Sequence, residues 1–326
     1  MLQTRITELL QIRHPLVMGG MRGLGLARLA AAVSNAGGFG MLSAHTQPDA
    51  ESLRREIEAT RALTDQPFGV NLTVLPSLGT RDYDGYARVI VEMGIPAVET
   101  SGGNPAKYIA LFKQHGIKVL HKVSSSLRFA LKAQDLGADA ITLHGFECAG
   151  HPGEDDIPGL VLMPAAAAAL KLPVLCSGGI ANGRGLAAVL ALGGEGVVMG
   201  TRFMLTQESG LHESVKQRLR DATLRDTVIV GRSIGDSARV WRNQYAEEVL
   251  ALERSGEASR EAFHASVDAE RWIAASRRGD AEGGAYPAGL SLGLIDDLPS
   301  VADMVDRLMA EAQAVIQQRL AGMVRP

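Results

Sequence analysis

The sequence predicts an α/β chain folded as a (β/α)8 TIM barrel, with a helical insertion after strand 8. Three observations carry that expectation. Eight short apolar runs recur along the first 200 residues, amphipathic segments separate them, and potentially chemical residues gather at one end of the runs. The runs are PLVMGG (15–20), GFGMLS (38–43), PFGVNLT (67–73), PAVETS (96–101), IKVLHKV (117–123), ADAITLHG (138–145), PVLCSGG (173–179) and GVVMGT (196–201). Each is too short for a typical helix, and none alternates polar with apolar. That pattern fits strands buried on both faces of a parallel sheet.

The segments between the runs read as helices. Leu26, Leu29, Ala30 and Val33 share one helical face, as do Leu127, Ala130 and Leu131 after the fifth run, and Leu186, Val189 and Leu190 after the seventh. Parallel strands need such crossovers. An open doubly wound sheet is the competing arrangement. Eight β-then-α units in about 200 residues favour closure into a barrel.

From about 205 to 285 the rhythm breaks. This stretch carries more charge and reads as helices, for example 212–222 and 246–276, ending in a Gly-rich segment at 279–284. AGLSLGLIDD follows, and then a last helix with an apolar stripe of Val301, Met304, Val305, Leu308, Met309 and Ala312. The expected organisation is a barrel from 1–204 and 286–326, with 205–285 as a helical insertion that covers the substrate.

Composition narrows the function classes. Charges nearly balance, at 33 Lys+Arg against 36 Asp+Glu, with no long run of one sign, which speaks against a nucleic-acid binder or a polybasic membrane anchor. No stretch reaches the ~18 apolar residues of a membrane span, and the first residues lack a secretory apolar core. Two cysteines, Cys148 and Cys176, make no disulfide framework. The expectation is a cytoplasmic protein acting on a small molecule, with a homodimer left open. Its 37 glycines suggest tight loops or backbone lying close to a ligand.

In a barrel, the loops after the strands build the site. Gly20, Met21 and Arg22 follow the first predicted strand, Asn71 and Thr73 end the third, and Lys122 ends the fifth. GFECAGHPGEDD follows the sixth strand, Ser177-Gly178-Gly179 the seventh, and Gly200-Thr201 the eighth. Glycine loops after strands 7 and 8 commonly hold a phosphate through backbone N–H groups. The ligand therefore carries a phosphate, as FMN, pyridoxal phosphate or a sugar phosphate does. Lys122 admits three roles: a Schiff-base nucleophile, a cation against a cofactor, or a structural ion pair. His151, flanked by Gly150 and Gly153, is the candidate general acid or base. Glu154, Asp155 and Asp156 beside it lack a second well-spaced histidine, so a solvated acidic loop is favoured over a metal site.

Together these motifs resemble the nitronate monooxygenase (2-nitropropane dioxygenase-like) family, and within it the bacterial FMN-dependent NADH:quinone reductase branch. The matching stretches are VMGGM with AAAVSNAGGFGMLSA, FGVNLT, HK, GFECAGHPGEDDIPGLVLMPAA, SGGIANGRGL, MGTRF and GLIDD. The resemblance implies FMN as cofactor and NADH or NADPH as co-substrate, with either a quinone-like acceptor or an alkyl nitronate oxidised with O₂. Relatives on this scaffold that act on acyl chains linked to carrier protein or coenzyme A are a further alternative. It also implies that Gly20, Met21 and Arg22 lie beside the flavin ring, with Asn71 among the cofactor-binding residues. Thr73 and Lys122 would contact its polar edge or ribityl chain, and Gly150 the ring. Ser177, Gly178, Gly179, Gly200 and Thr201 would hold the phosphate, and His151 would stand over the ring. Two positions depart from the pattern: Arg22, where relatives often carry glutamine, and His144, where the quinone-reductase branch tends to carry aspartate.

Overall fold

The computed structural model describes residues 2–74, 81–256 and 259–324. Eight parallel strands form its centre: β1 (Leu16–Met18), β2 (Gly40–Ser43), β3 (Phe68–Val74), β4 (Ala97–Gly102), β5 (Lys118–Ser124), β6 (Ala140–His144), β7 (Val174–Ser177) and β8 (Gly196–Met199). Every one coincides with an apolar run of the sequence, with β3, β4 and β5 each extending one residue beyond it. Hydrogen bonding runs β1-β8-β7-β6-β5-β4-β3-β2. The ring closes where Met18 N donates to Phe39 O and Phe39 N donates to Leu16 O, at 2.9 and 2.8 Å. The chain is a (β/α)8 TIM barrel.

The helices are α1 (Arg5–Leu10), α2 (Ala27–Asn35), α3 (Ala50–Arg61), α4 (Tyr83–Glu92), α5 (Ala106–Gln114), α6 (Leu127–Asp135), α7 (Gly159–Ala169) and α8 (Gly183–Ala191). Local chemistry sets their starts. The Asp49 carboxylate accepts from Ser52 N, and the Asn182 side chain accepts from Gly185 N, satisfying N–H groups that a helix leaves unpaired. Leu29, Ala30 and Val33 of α2 are buried in the core together with Leu16, Phe39 and Met41.

After β8 come the four-residue α9 (Thr201–Met204) and α10 (Glu213–Arg220). The insertion is not helical throughout: β9 (Thr227–Val230) and β10 (Ala238–Trp241) pair antiparallel as a two-stranded ribbon. Alternating Val228, Val230, Val240 and the turn glycines Gly231 and Gly235 carry that signal in the sequence. It was hidden by the charged residues around it.

Three helices then replace the single expected segment: α11 (Gln244–Ser255), α12 (Arg260–Ser266) and α13 (Ala269–Arg277). Residues 257–258 lie outside the described residues. The last helix, α14 (Val301–Ala314), packs against α8 and α2, so it completes the outer ring. Gly183 permits this, because a side chain there would collide with the Leu308 carbonyl. Among the described residues, no helix is long and apolar enough to cross a membrane.

Candidate active site

A cavity of about 770 Å³ opens at the C-terminal ends of the strands, beneath α12 and α13. Its size fits a small-molecule or cofactor site. Every residue expected to bind the cofactor or act on the substrate lines it, from Gly20, Met21 and Arg22 on the first loop to Gly200 and Thr201 on the last. Parallel strand register explains the convergence, since residues at the same height on neighbouring strands face one mouth.

Two loops give the mouth its backbone character. Gly178 and Gly179 follow β7 with φ of +106° and +75°, conformations that L side chains rarely adopt. A Cβ on Gly178 would stand 2.8 Å from Cys148 N, so the loop can pass the β6 loop only as glycine. After β8, Gly200 leads into α9. The Thr201 hydroxyl oxygen accepts from Gly289 N at 3.0 Å, which ties the return segment to this loop and leaves the hydroxyl proton free to donate.

Lys122 belongs to a chain of side chains across three strands. Its Nζ lies 2.9 Å from Glu99 Oε1, and Asn71 Nδ2 donates to that same oxygen at 2.8 Å. Thr73 Oγ1 in turn donates to Asn71 Oδ1 at 2.9 Å. Glu99 is completely buried, and its Oε2 has no protein partner among the described residues. Of the three roles open in the sequence, the ion pair is therefore present. It leaves the ammonium at the cavity wall, where it can also face a bound group. Glu99 gave no signal in the sequence, because one carboxylate in PAVETS reads as an ordinary strand polar residue. Only the β4–β5 register, which sets Ser101 beside Lys122, brings the two together.

His151 sits on the loop after β6, and that loop is clamped to the ribbon. Gly150 N donates to Arg239 O, and Arg239 N donates back to Gly150 O, at 3.0 and 2.7 Å. Glu154 accepts from Ser237 N and Oγ at 2.8 and 2.7 Å, and Arg232 grips both Asp156 oxygens. The acidic run read as a solvated loop is thus a docking surface for the insertion. The ribbon also delivers Asp236, whose Oδ1 lies 3.5 Å from His151 Nε2, while α12 delivers His264, 2.8 Å from Asp236 Oδ2. Sequence reasoning missed both residues. The insertion carries no barrel periodicity from which their position over the mouth follows.

The opposite wall is cationic. Arg22 Nη2 donates to Glu270 Oε1 at 2.8 Å, which fastens the β1 loop to α13. Arg81 lines the same side. His45 is buried there, and desolvation, with Arg81 and Arg22 nearby, pushes its pKa down to about 4. At the floor, burial lowers the His144 pKa to about 3, with Lys122 adding to the effect. The departure at position 144 therefore places a neutral imidazole in the site, 3.4 Å from Cys148 Sγ. Burial pushes the Cys148 thiol up to about 12, so it is no thiolate nucleophile.

The sequence profile of the nitronate monooxygenase family matches residues 3–87 and 76–311. The chain belongs to that family. It is an oxidoreductase. Among solved structures, FabK from Thermotoga maritima superimposes with a TM-score of 0.91 at 37% identity, covering 99% of this chain and 100% of that one. Nitroalkane oxidase from Streptomyces ansochromogenes superimposes with a TM-score of 0.80 at 28% identity, covering 97% and 99%. Among curated relatives, (3aS,4S,5R,7aS)-5-hydroxy-7a-methyl-1-oxo-octahydro-1H-indene-4-carboxyl-CoA dehydrogenase of Rhodococcus jostii is 31% identical over 95% of this chain and 96% of its own length. Both solved structures cover nearly the whole of this chain, the insertion included.

Proposed function

We propose that this nitronate monooxygenase family member binds FMN in the barrel mouth and passes a hydride from NADH or NADPH to a quinone-like acceptor. The observation that carries the reading is the convergence of two glycine-built loops, one cation and one loop histidine on a single cavity. The residues fit the cofactor. Gly178, Gly179 and Gly200 leave backbone N–H groups uncovered for a phosphate, and Ser177 and Thr201 add hydroxyl donors. A Cβ on Gly20 would collide with the Asn71 side chain, so glycine there lets that amide pack against the first loop at the cavity wall.

When bound, FMN supplies the hydride and electron chemistry, and the protein supplies orientation and electrostatics. Lys122 offers a cation to the polar edge of the cofactor, and Glu99 behind it keeps the ammonium from swinging away. Arg22 and Met21 line the ring side of the mouth. The insertion roofs the mouth with α12 and α13. His151, clamped through Gly150, gives or takes the proton that accompanies hydride transfer to the acceptor.

A second reading, an acyl thioester as the substrate, is favoured by a specific observation. The coenzyme A-linked dehydrogenase relative covers nearly the whole chain, and Arg81 places a cation at the cavity that a phosphorylated carrier arm would meet. Anaerobic mixing of the purified flavoprotein with NADH and with NADPH tests the hydride donor by bleaching of the flavin. Mixing the bleached protein with a quinone, an enoyl-coenzyme A, or air then identifies the acceptor. Oxygen uptake with propionate 3-nitronate covers the activity that names the family. Failure of both nicotinamides to bleach the flavin contradicts the reductase reading.

A further inference from the structure

Asp236 stands between two imidazoles at the edge of the cavity. Its Oδ2 lies 2.8 Å from His264 Nε2, and its Oδ1 lies 3.5 Å from His151 Nε2. An ionised carboxylate accepts hydrogen bonds and donates none. His264 Nε2, at hydrogen-bond distance, therefore carries a proton, and His151 Nε2 carries one when its 3.5 Å gap to Oδ1 closes to a hydrogen bond. For His151 this selects the Nε2–H tautomer, and it leaves Nδ1 as the basic atom of the neutral ring.

We propose that Asp236 is the positioning residue for His151, assigning proton transfer to Nδ1, with His264 holding the carboxylate in place. The inference rests on the reading of His151 as the acid–base group. When Nδ1 gives its proton to the acceptor, the imidazolium returns to the neutral Nε2–H ring, with the second proton retained against Asp236. A fixed tautomer matters because a ring with its proton on the wrong nitrogen presents a donor where an acceptor is needed.

Three observations support the assignment. All three residues line the same cavity. The turn that carries Asp236 does not approach the β6 loop by chance, since Ser237 next to it is fixed by Glu154, and Arg239 is paired with Gly150 next to His151. The 3.5 Å separation is the longer of the two contacts, and catalytic hydrogen bonds commonly tighten when a site fills. His264 comes from a third element, so the triad also links α12 to proton transfer.

The test uses FMN-loaded protein labelled with ¹⁵N in histidine, at a pH where the rings are neutral, with His151 signals identified by their loss in His151→Asn. The tautomer of each ring is read from its nitrogen shifts. The expected result is Nε2–H for both His151 and His264 in the native chain, and loss of that preference at His151 in Asp236→Ala. Kinetically, Asp236→Ala lowers kcat about 10-fold with KM little changed, a smaller loss than the roughly 10²–10⁴ of an acid–base group itself. In a His151→Asn background the same substitution has no further effect. Asp236→Glu restores part of the activity.

A native His151 in the Nδ1–H form, or a tautomer unchanged by Asp236→Ala, overturns the assignment. Additive losses in the double variant overturn it equally. If Asp236→Ala fails to fold, Asp236→Asn serves, because it puts an NH2 donor where one of the two rings now faces a carboxylate oxygen. The outcomes separate from those of the functional reading: a chain that retains no FMN defeats the latter, while a wrong tautomer in an active flavoprotein defeats only the role of Asp236.

Discussion

Glu99 Oε1 receives both Lys122 Nζ and Asn71 Nδ2, at 2.9 and 2.8 Å, on a carboxylate that solvent does not reach. This one oxygen joins β3, β4 and β5 directly under the cavity. Breaking a buried pair leaves an uncompensated charge, which typically costs about 3–5 kcal/mol. Glu99→Gln is therefore expected to lose stability of that order in urea unfolding, less to the extent that the 14% exposed Lys122 side chain reaches water. Lys122→Met combined with Glu99→Gln is expected to be more stable than either single change. If the double variant is the least stable of the three, the pair is not what holds these strands.

Lys122→Ala bears on ligand binding as well. The variant is expected to retain FMN less tightly, or to show a shifted flavin spectrum, when dialysed beside the native chain. Identical retention and spectrum limit Lys122 to its ion pair with Glu99.

Gly178 gives a sharper local prediction. Its φ of +106° and the nearness of Cys148 N mean that Gly178→Ala must move either its own loop or the β6 loop. Strain of this kind costs about 1–3 kcal/mol. FMN affinity is expected to fall by at least 10-fold, measured by fluorescence titration of the apoprotein. Unchanged affinity removes this loop from the phosphate site.

How much of this was legible in the sequence follows from the physics of each part. The eight strands were legible because burial on both faces favours short apolar runs: Leu16–Met18 and Gly196–Met199 are wholly apolar, and β3, β4 and β5 interrupt theirs with the polar residues that build the site. The mouth was legible for a related reason, since strand ends in a closed barrel point the same way. Asp236 and His264 were not legible. They reach the cavity through a ribbon and helices whose docking depends on Glu154 and Asp156 finding Ser237 and Arg232. Those are long-range pairings between charged segments, and no local period encodes them. Arg22 was half legible: its place beside the mouth followed from the first loop, but its tie to Glu270 did not.

Acid sensitivity follows from three histidines held neutral. Burial lowers the pKa of His45 and of His121 from the ordinary 6.5 to about 4, and that of His144 to about 3. Between those values the unfolded chain binds protons that the folded chain does not, so stability falls as pH falls. Three such groups give a slope of up to about 4 kcal/mol per pH unit from near pH 6 down to pH 4, and His144 carries a shallower loss on to pH 3. Urea unfolding at a series of pH values measures it. His121→Gln is expected to reduce the slope by about a third, and a slope unaffected by that change assigns the acid lability elsewhere.

His151→Asn is expected to retain FMN while losing turnover with the true acceptor, by roughly 10²–10⁴ if the ring is the acid–base group. Retention is read from the flavin absorption after gel filtration and turnover from nicotinamide oxidation. Native rates with every acceptor reduce His151 to a residue that shapes its loop.

The central claim is that the glycine-built mouth of this barrel holds FMN, and absorption spectroscopy of the purified chain tests it most directly. The account predicts a yellow protein, or a colourless one that takes up one FMN per chain on incubation, and bleaching when NADH or NADPH is added without air. A chain that stays colourless after incubation with FMN contradicts it.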